Sequence, residues 1–499
     1  MFAALETGGT MDRRRNRSGA RGIARRDFLK ATVAGAAGVA AGIGSAAPAL
    51  ARNSSGAAAS PRVGRSVGGG LVVAGPELAL PPGFTYKTFG AFGSPMQDGF
   101  TTPPIPDGMG VFTDGAGLRI VRNHELGDGN DIARGSVVGI PSTAYDRRGP
   151  GCTTTLLLDS NADLVESFVS ANGMDTNCAG GATPWGTYLT CEETTIGTSS
   201  NRDKPHGYVF EIDPMSDGSV PAKRHRAMGR FVHEAAAVDA ITGIVYLTED
   251  NNPDCFYRFI ADTFGDLSSG TLQALRIKGQ DRYNTIRGET VGEVLPVDWV
   301  TIPDPDRPGA EDDAALVQKI ARSRGAARFL SGEGATMVGS SCVFDSSDGG
   351  DAELGQIWKY TPLTNIGDRD EEGELELLFE STDRSVLDGP DNLCTSPNNR
   401  VVIAEDGKEN RSFVRGLRND GTIVNVARNL VPVRLSIIDA SGKLYDPYVP
   451  DDDFTIADGL AYSEFAGPRF SPDGTWLFVN IQVPGITCAI TGDWASLGL

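Results

Sequence analysis

Histidine is scarce, with four in 499 residues, at positions 124, 206, 225 and 233. A zinc hydrolase built on imidazole ligands is therefore not expected, since such sites each consume two or three of them. Basic residues are in deficit as well: 45 Lys and Arg face 65 Asp and Glu, a formal charge of −20. With no cationic surface to neutralise phosphates, neither nucleic acid nor an anionic membrane is an expected partner. No stretch approaches the ~18 consecutive apolar residues that a membrane span requires, so the mature chain is expected to be soluble. No G-x-S-x-G stands on a strand-to-helix turn, which sets aside Ser-His-Asp chemistry.

The chain opens on a targeting pattern. Arg25-Arg26-Asp27-Phe28-Leu29-Lys30 is a twin-arginine motif, followed by an Ala/Gly/Val run over 31–43 and small residues at Ala49-Leu50-Ala51. The run is too short to cross a ~30 Å bilayer and reads as an export signal over 1–51, handled by the twin-arginine translocation machinery. That segment carries eight basic and three acidic residues, so its removal deepens the charge from −20 to −25. Residues 52–74 are read as a flexible linker and 75–499 as the folded domain. Seven cysteines, an odd number, leave at least one thiol outside any disulfide; Cys178 with Cys191 is the plainest pairing.

Beyond the linker the texture is all-β, with short apolar runs punctuated by Gly, Pro, Asn and Asp. One template recurs in Ala235 to Asp250, Asn392 to Asp406 and Pro468 to Gln482: apolar entry, turn, then an alternating strand with a polar end. Gly117 to Glu125 and Trp185 to Glu193 match its second half. Repeated hairpins without helices between them predict an irregular β-propeller of about six blades with loop and short helical insertions. A pair of β-sandwiches is the alternative. A helix is expected over 309–324, and the acid clusters at 311–313, 368–376 and 451–453 are read as solvated loops.

The template strands end in "NHE", "CEE", "TED" and "AED", placing acids at Glu125, Glu193, Glu249 and Glu405. In a propeller, corresponding strand ends converge on one axis, where carboxylates repel unless a cation compensates them. Oxygen ligands of this kind suit Ca²⁺. Solvent-edge placement of each pair is the alternative. His124 and His233 each precede a glutamate and are candidates beside such a cage, whereas His206 and His225 read as core histidines bonded to backbone carbonyls.

Several of these segments, "NHE" at 123–125, "NCAGGATPWGTYLTCEET" at 177–194, "GRFVHEAAAVD" at 229–239, "VYLTED" at 245–250, "GQIWKYTP" at 355–362, "PDNL" with "AEDG" at 390–407 and "FSPDGTWLFVNIQ" at 470–482, resemble the PhoX family of exported alkaline phosphatases. The resemblance implies an irregular propeller carrying iron and calcium ions bridged by an oxo group and hydrolysis of small phosphate monoesters; with the export signal, a periplasmic or extracellular protein is expected, and it is expected to be a monomer. It implies Cys178 as a thiolate ligand of Fe³⁺, Glu193 as a bridge between metals, Glu234 and Asp250 at the iron sites, and Glu333 on Ca²⁺. Glu193, Glu234 and Glu333 would be the catalytic set. Asn123, Glu125, Asp391 and Glu405 are weaker transfers. Soft thiolate with hard carboxylates would let one cage sort two metals. Two positions depart from the family pattern: Ser331 stands where an arginine is usual, and Val483 stands within Gln-Val-Pro-Gly where the family has Gln-His-Pro-Gly. A propeller hydrolase of diesters or lactones, and a non-catalytic calcium-stabilised binding propeller, remain as alternatives.

Overall fold

The computed structural model describes residues 63–127, 139–364, 368, 371–407, 412–434 and 460–499. The export signal, residues 52–62 and the acid cluster 451–453 lie outside them.

Six antiparallel units of four strands follow one another around an axis. Their inner strands are Pro106–Asp114, Asn177–Ala182, His233–Val238, Gly332–Val338, Pro390–Thr395 and Phe465–Phe470. Each inner strand packs against the next, and the sixth packs against the first, so the ring closes. This is a six-bladed propeller among the described residues, as the hairpin template predicts. Blades 3 and 4 are joined into one nine-stranded sheet, because Val294–Thr301 pairs with the outer strands of both, Asp266–Ile277 and Glu372–Glu380. Blade 6 takes its outer strand, Thr85–Phe89, from the other end of the chain, where it pairs with Ile486–Thr491.

The core is a set of layers between blades. Val121, Ala171, Tyr188 and Phe210 fill the space between blades 1 and 2, and Phe256, Phe344, Trp358 and Tyr360 that between blades 3 and 4. Both faces of each sheet are thus covered, which is why several strands are apolar at consecutive positions rather than strictly alternating.

Four expectations need correction. The linker ends earlier than residue 74: Ser66–Gly68 and Leu71–Val73 are strands added to the edge of blade 5, with Leu71 and Val73 buried. The helix covers only Leu316–Ser323. Its expected first turn is diverted because Glu311 accepts hydrogen bonds from the Ser199 backbone and hydroxyl, while Asp313 pairs with Lys319 at 2.7 Å. Residues 372–376 belong to a strand, and Glu371 is fully buried 2.8 Å from Arg258. All seven cysteines are buried free thiols, so Cys178 and Cys191 are not a disulfide. No helix among the described residues is long and apolar enough to cross a membrane.

Candidate metal centre

One device repeats in every blade. The first residue of the inner strand pairs with the last residue of the second strand: Pro106 with His124, Asn177 with Glu192, His233 with Glu249, Gly332 with Ser346, Pro390 with Glu405, Phe465 with Ile481. A β-bulge follows immediately, or one residue later in blade 6. A bulge sets two residues against one and re-aims the side chain it carries. The second residue of each inner strand is Asp107, Cys178, Glu234, Glu333, Asp391 and Ala466 in turn. The residue just past each second strand is Glu125, Glu193, Asp250, Ser347, Asp406 and Gln482.

These two sets supply the cluster. Asp107, Glu125 and Cys178 have ligand atoms within 4.8 Å of one another, as do Cys178, Glu193 and Glu234, and again Glu234, Glu333 and Asp391. Cys178 and Glu234 are each shared by two groups, so the three form one continuous arc, and all its members are buried. The Cys178 thiol donates to Glu234 Oε1 at 3.1 Å. Neutral groups donate to the arc as well: Gln482 to Asp107 (3.0 Å) and Glu125 (2.8 Å), Asn392 to Asp391 (2.8 Å), and Ser347 to Glu333 (3.0 Å).

Small residues let the strands come this close. A Cβ on Gly334 would lie 2.3 Å from the Asp391 carbonyl oxygen, and one on Gly108 2.7 Å from the Ala179 Cα. Asn123 opposes the bulge of blade 1 and reaches into blade 2, donating to the carbonyls of Cys178 (2.5 Å) and Ala179 (2.9 Å). It braces the backbone of the cluster cysteine and is not a member of the three groups. Its Oδ1 is buried with no hydrogen-bond partner.

Of the remaining residues singled out from sequence, Asp250 is partly exposed and outside the groups, its backbone N–H bonded to Val232. Glu405 is also outside them. Its carboxylate accepts from Arg415 at 2.7 Å and from the backbone of Asp388 and Phe413, and burial pushes it up to about 7 even against that arginine. Glu249 occupies the same place in blade 3, bonded to Tyr257 at 2.6 Å and raised to about 7 by burial. Asp107 is the member that the sequence reading missed: it stands in "PDGMG", where no strand-end acid marks it.

The histidines exchange roles relative to expectation. His124 and His233 are bonded to the carbonyls of Pro104 (2.9 Å) and Gly229 (3.2 Å); burial lowers both, His233 to about 3. His206 instead lies between Glu192 (2.6 Å) and Asp146 (3.4 Å), which hold it protonated at about 10 although burial opposes the charge. His225 meets Glu211 at 3.0 Å. At the rim, Ser331 has a positive φ of 51° and donates to Asp348 at 3.2 Å; the backbone N–H of Val483 is bonded to Ser463.

Buried carboxylates gathered around a thiol form a donor set suited to cations: hard oxygens for Ca²⁺, sulfur for a softer transition ion such as iron. The residues present therefore fit a mixed metal cluster.

A family model described as "Alkaline phosphatase PhoX" matches residues 141–485. No curated protein matches the chain. Among solved structures, the chain is similar to Pseudomonas fluorescens PhoX in complex with vanadate, a transition state analogue, with a TM-score of 0.60 and 18% identity over 84% of this chain and 97% of that chain. A gluconolactonase from Xanthomonas campestris aligns at a TM-score of 0.33 and 10% identity, over 78% of this chain and 97% of that one.

Proposed function

Because the chain belongs to the PhoX alkaline phosphatase family, we propose that it is an exported phosphatase, acting as a monomer on small phosphate monoesters at a calcium- and iron-loaded centre. The observation that carries this reading is the convergence of Asp107, Cys178, Glu234, Glu333 and Asp391, one from each of five successive blades, into an arc completed by Glu125 and Glu193. Cys178, with Glu193 and Glu234, would hold iron; Glu234, Glu333 and Asp391 would hold calcium, as would Asp107 and Glu125. Asp250 lies one residue past the strand in blade 3 and would join the iron site. Bound there, the cations would supply Lewis acidity towards phosphoryl oxygens and acidify water.

The chain's own groups set the rest. Gln482 holds Asp107 and Glu125 in place, Ser347 orients Glu333, and Asn123 fixes the carbonyls beside Cys178. Ser331 would bring a hydroxyl where the family's arginine would grip a phosphate with two hydrogen bonds, so substrate positioning would be weaker.

The test is elemental analysis of the exported chain together with p-nitrophenyl phosphate turnover before and after chelation. Bound calcium and iron, with turnover lost on chelation, is the expected result. Bound metals with no turnover of any monoester would overturn the phosphatase reading and leave the centre standing. Hydrolysis of a diester instead would assign Ser331 to a different substrate class.

A further inference from the structure

The end of the channel opposite the acid arc opens into a funnel of about 580 Å³. That volume lies within the ~300–1,000 Å³ usual for small-molecule sites. Its walls mix the partly exposed apolar residues Val111, Met337 and Phe470 with polar Thr336, Thr395 and Ser396, and Ala182 lies exposed at its lining. Arg469 is one of the lining residues. The guanidinium donates to three backbone carbonyls of three different blades, those of Met109 (3.0 Å), Leu393 (3.2 Å) and Gly180 (3.3 Å). Among the described residues no carboxylate lies within ion-pairing distance of it, and Asp473, which also lines the funnel, is occupied by Ser471 and Thr475. Three acceptors leave N–H donors of a planar fork over.

The funnel does not communicate with the arc. Between them Gly108, Ala179, Ala235, Gly334, Asn392 and Gly467 surround a void of about 10 Å³. A single water needs about that much room, so no solute passes.

We propose that the funnel is a second ligand site, separate from the metal centre, for a small organic acid whose anionic group meets Arg469 and whose apolar body lies against Val111, Met337 and Phe470. Isothermal titration of the metal-loaded and the chelated protein tests it, with benzoate, phenylphosphonate and neutral benzyl alcohol as probes. One saturable site for an anionic probe should persist after chelation, with benzyl alcohol at least about tenfold weaker, the difference expected of one charge-assisted contact. The benzoate and phenylphosphonate arms distinguish carboxylate from phosphoryl ligands. Arg469→Gln should weaken anion binding by a similar factor; because that change also touches three inner strands, Ala182→Trp, at an exposed position, provides a second variant that obstructs the funnel. Loss of all anion binding on chelation, retention of it in both variants, or no saturable binding of either anion would overturn the proposal.

Discussion

Glu192 and Glu193 are adjacent, yet their carboxylates go to different places. Glu192 faces into blade 2, where it accepts from the backbone of Asp175 (2.9 Å) and Gly207 (2.7 Å) and from His206 (2.6 Å). Glu193 stands one residue past the strand and joins Cys178 and Glu234. The two like charges are separated by the pleat, and the inner one is neutralised by a protonated histidine. His206→Gln leaves Glu192 and Asp146 buried without that cation and is expected to cost about 3–5 kcal/mol. Because folding raises this histidine from 6.5 to about 10, its contribution is complete below about 6.5 and disappears as pH rises through about 10. Urea midpoints should therefore fall between pH 7 and 10 in the natural protein and fall less steeply in His206→Gln. Cys178 has a different test. Cys178→Ser should lower iron content and remove any thiolate-to-iron absorption while calcium stays bound; unchanged iron by elemental analysis would exclude the thiol as its ligand.

At the scale of the element, the bulge decides which acids meet. It presents the second residue of the inner strand towards the axis, and in blades 1 and 4 it needs a glycine beside it. Gly334→Val would set a side chain where even a Cβ falls 2.3 Å from the Asp391 carbonyl oxygen. Overpacking of this kind costs about 1–3 kcal/mol and would part Glu333 from Asp391, so both the melting temperature and metal retention should drop. The same device explains what could be read in advance. Hairpins of blades 3, 5 and 6 repeat a visible template, and a propeller follows from it. Blade 4 escaped because its second strand ends at Ser346 and is followed by Ser347, with no acid to mark the register. Glu249 and Glu405 looked equivalent to Glu193 because "TED", "AED" and "CEE" end alike, but they pair with His233 and Pro390 across the strands and so face the blade interior. A bulge leaves no pattern of apolar residues, so neither the one-residue offset nor Asp107 was legible from composition and alternation.

On the scale of the whole molecule, the closed ring forces acids from five blades together, and folding becomes linked to pH and metal at once. Burial raises Glu249 and Glu405 to about 7, and Asp175 to about 6, from ordinary values near 4. A carboxyl raised on folding stabilises the native state below its unfolded value and loses that contribution as pH rises through the folded one. The three therefore weaken the fold between about pH 4 and 7, and His206 continues the decline towards 10. Metal-free protein should consequently be most stable in mild acid, with urea midpoints falling from pH 5 to 7 to 9 in the presence of a chelator. Calcium bound in the arc would act in the opposite sense. It binds deprotonated carboxylates, so its affinity grows with pH, and a ligand at a hundred times its Kd adds about 2.7 kcal/mol. With millimolar calcium the midpoints should fall less, or rise, between pH 7 and 9. The same slope with and without calcium would mean that the acid arc binds no ion that matters to folding, and that the ring closes on the apolar layers between its blades alone.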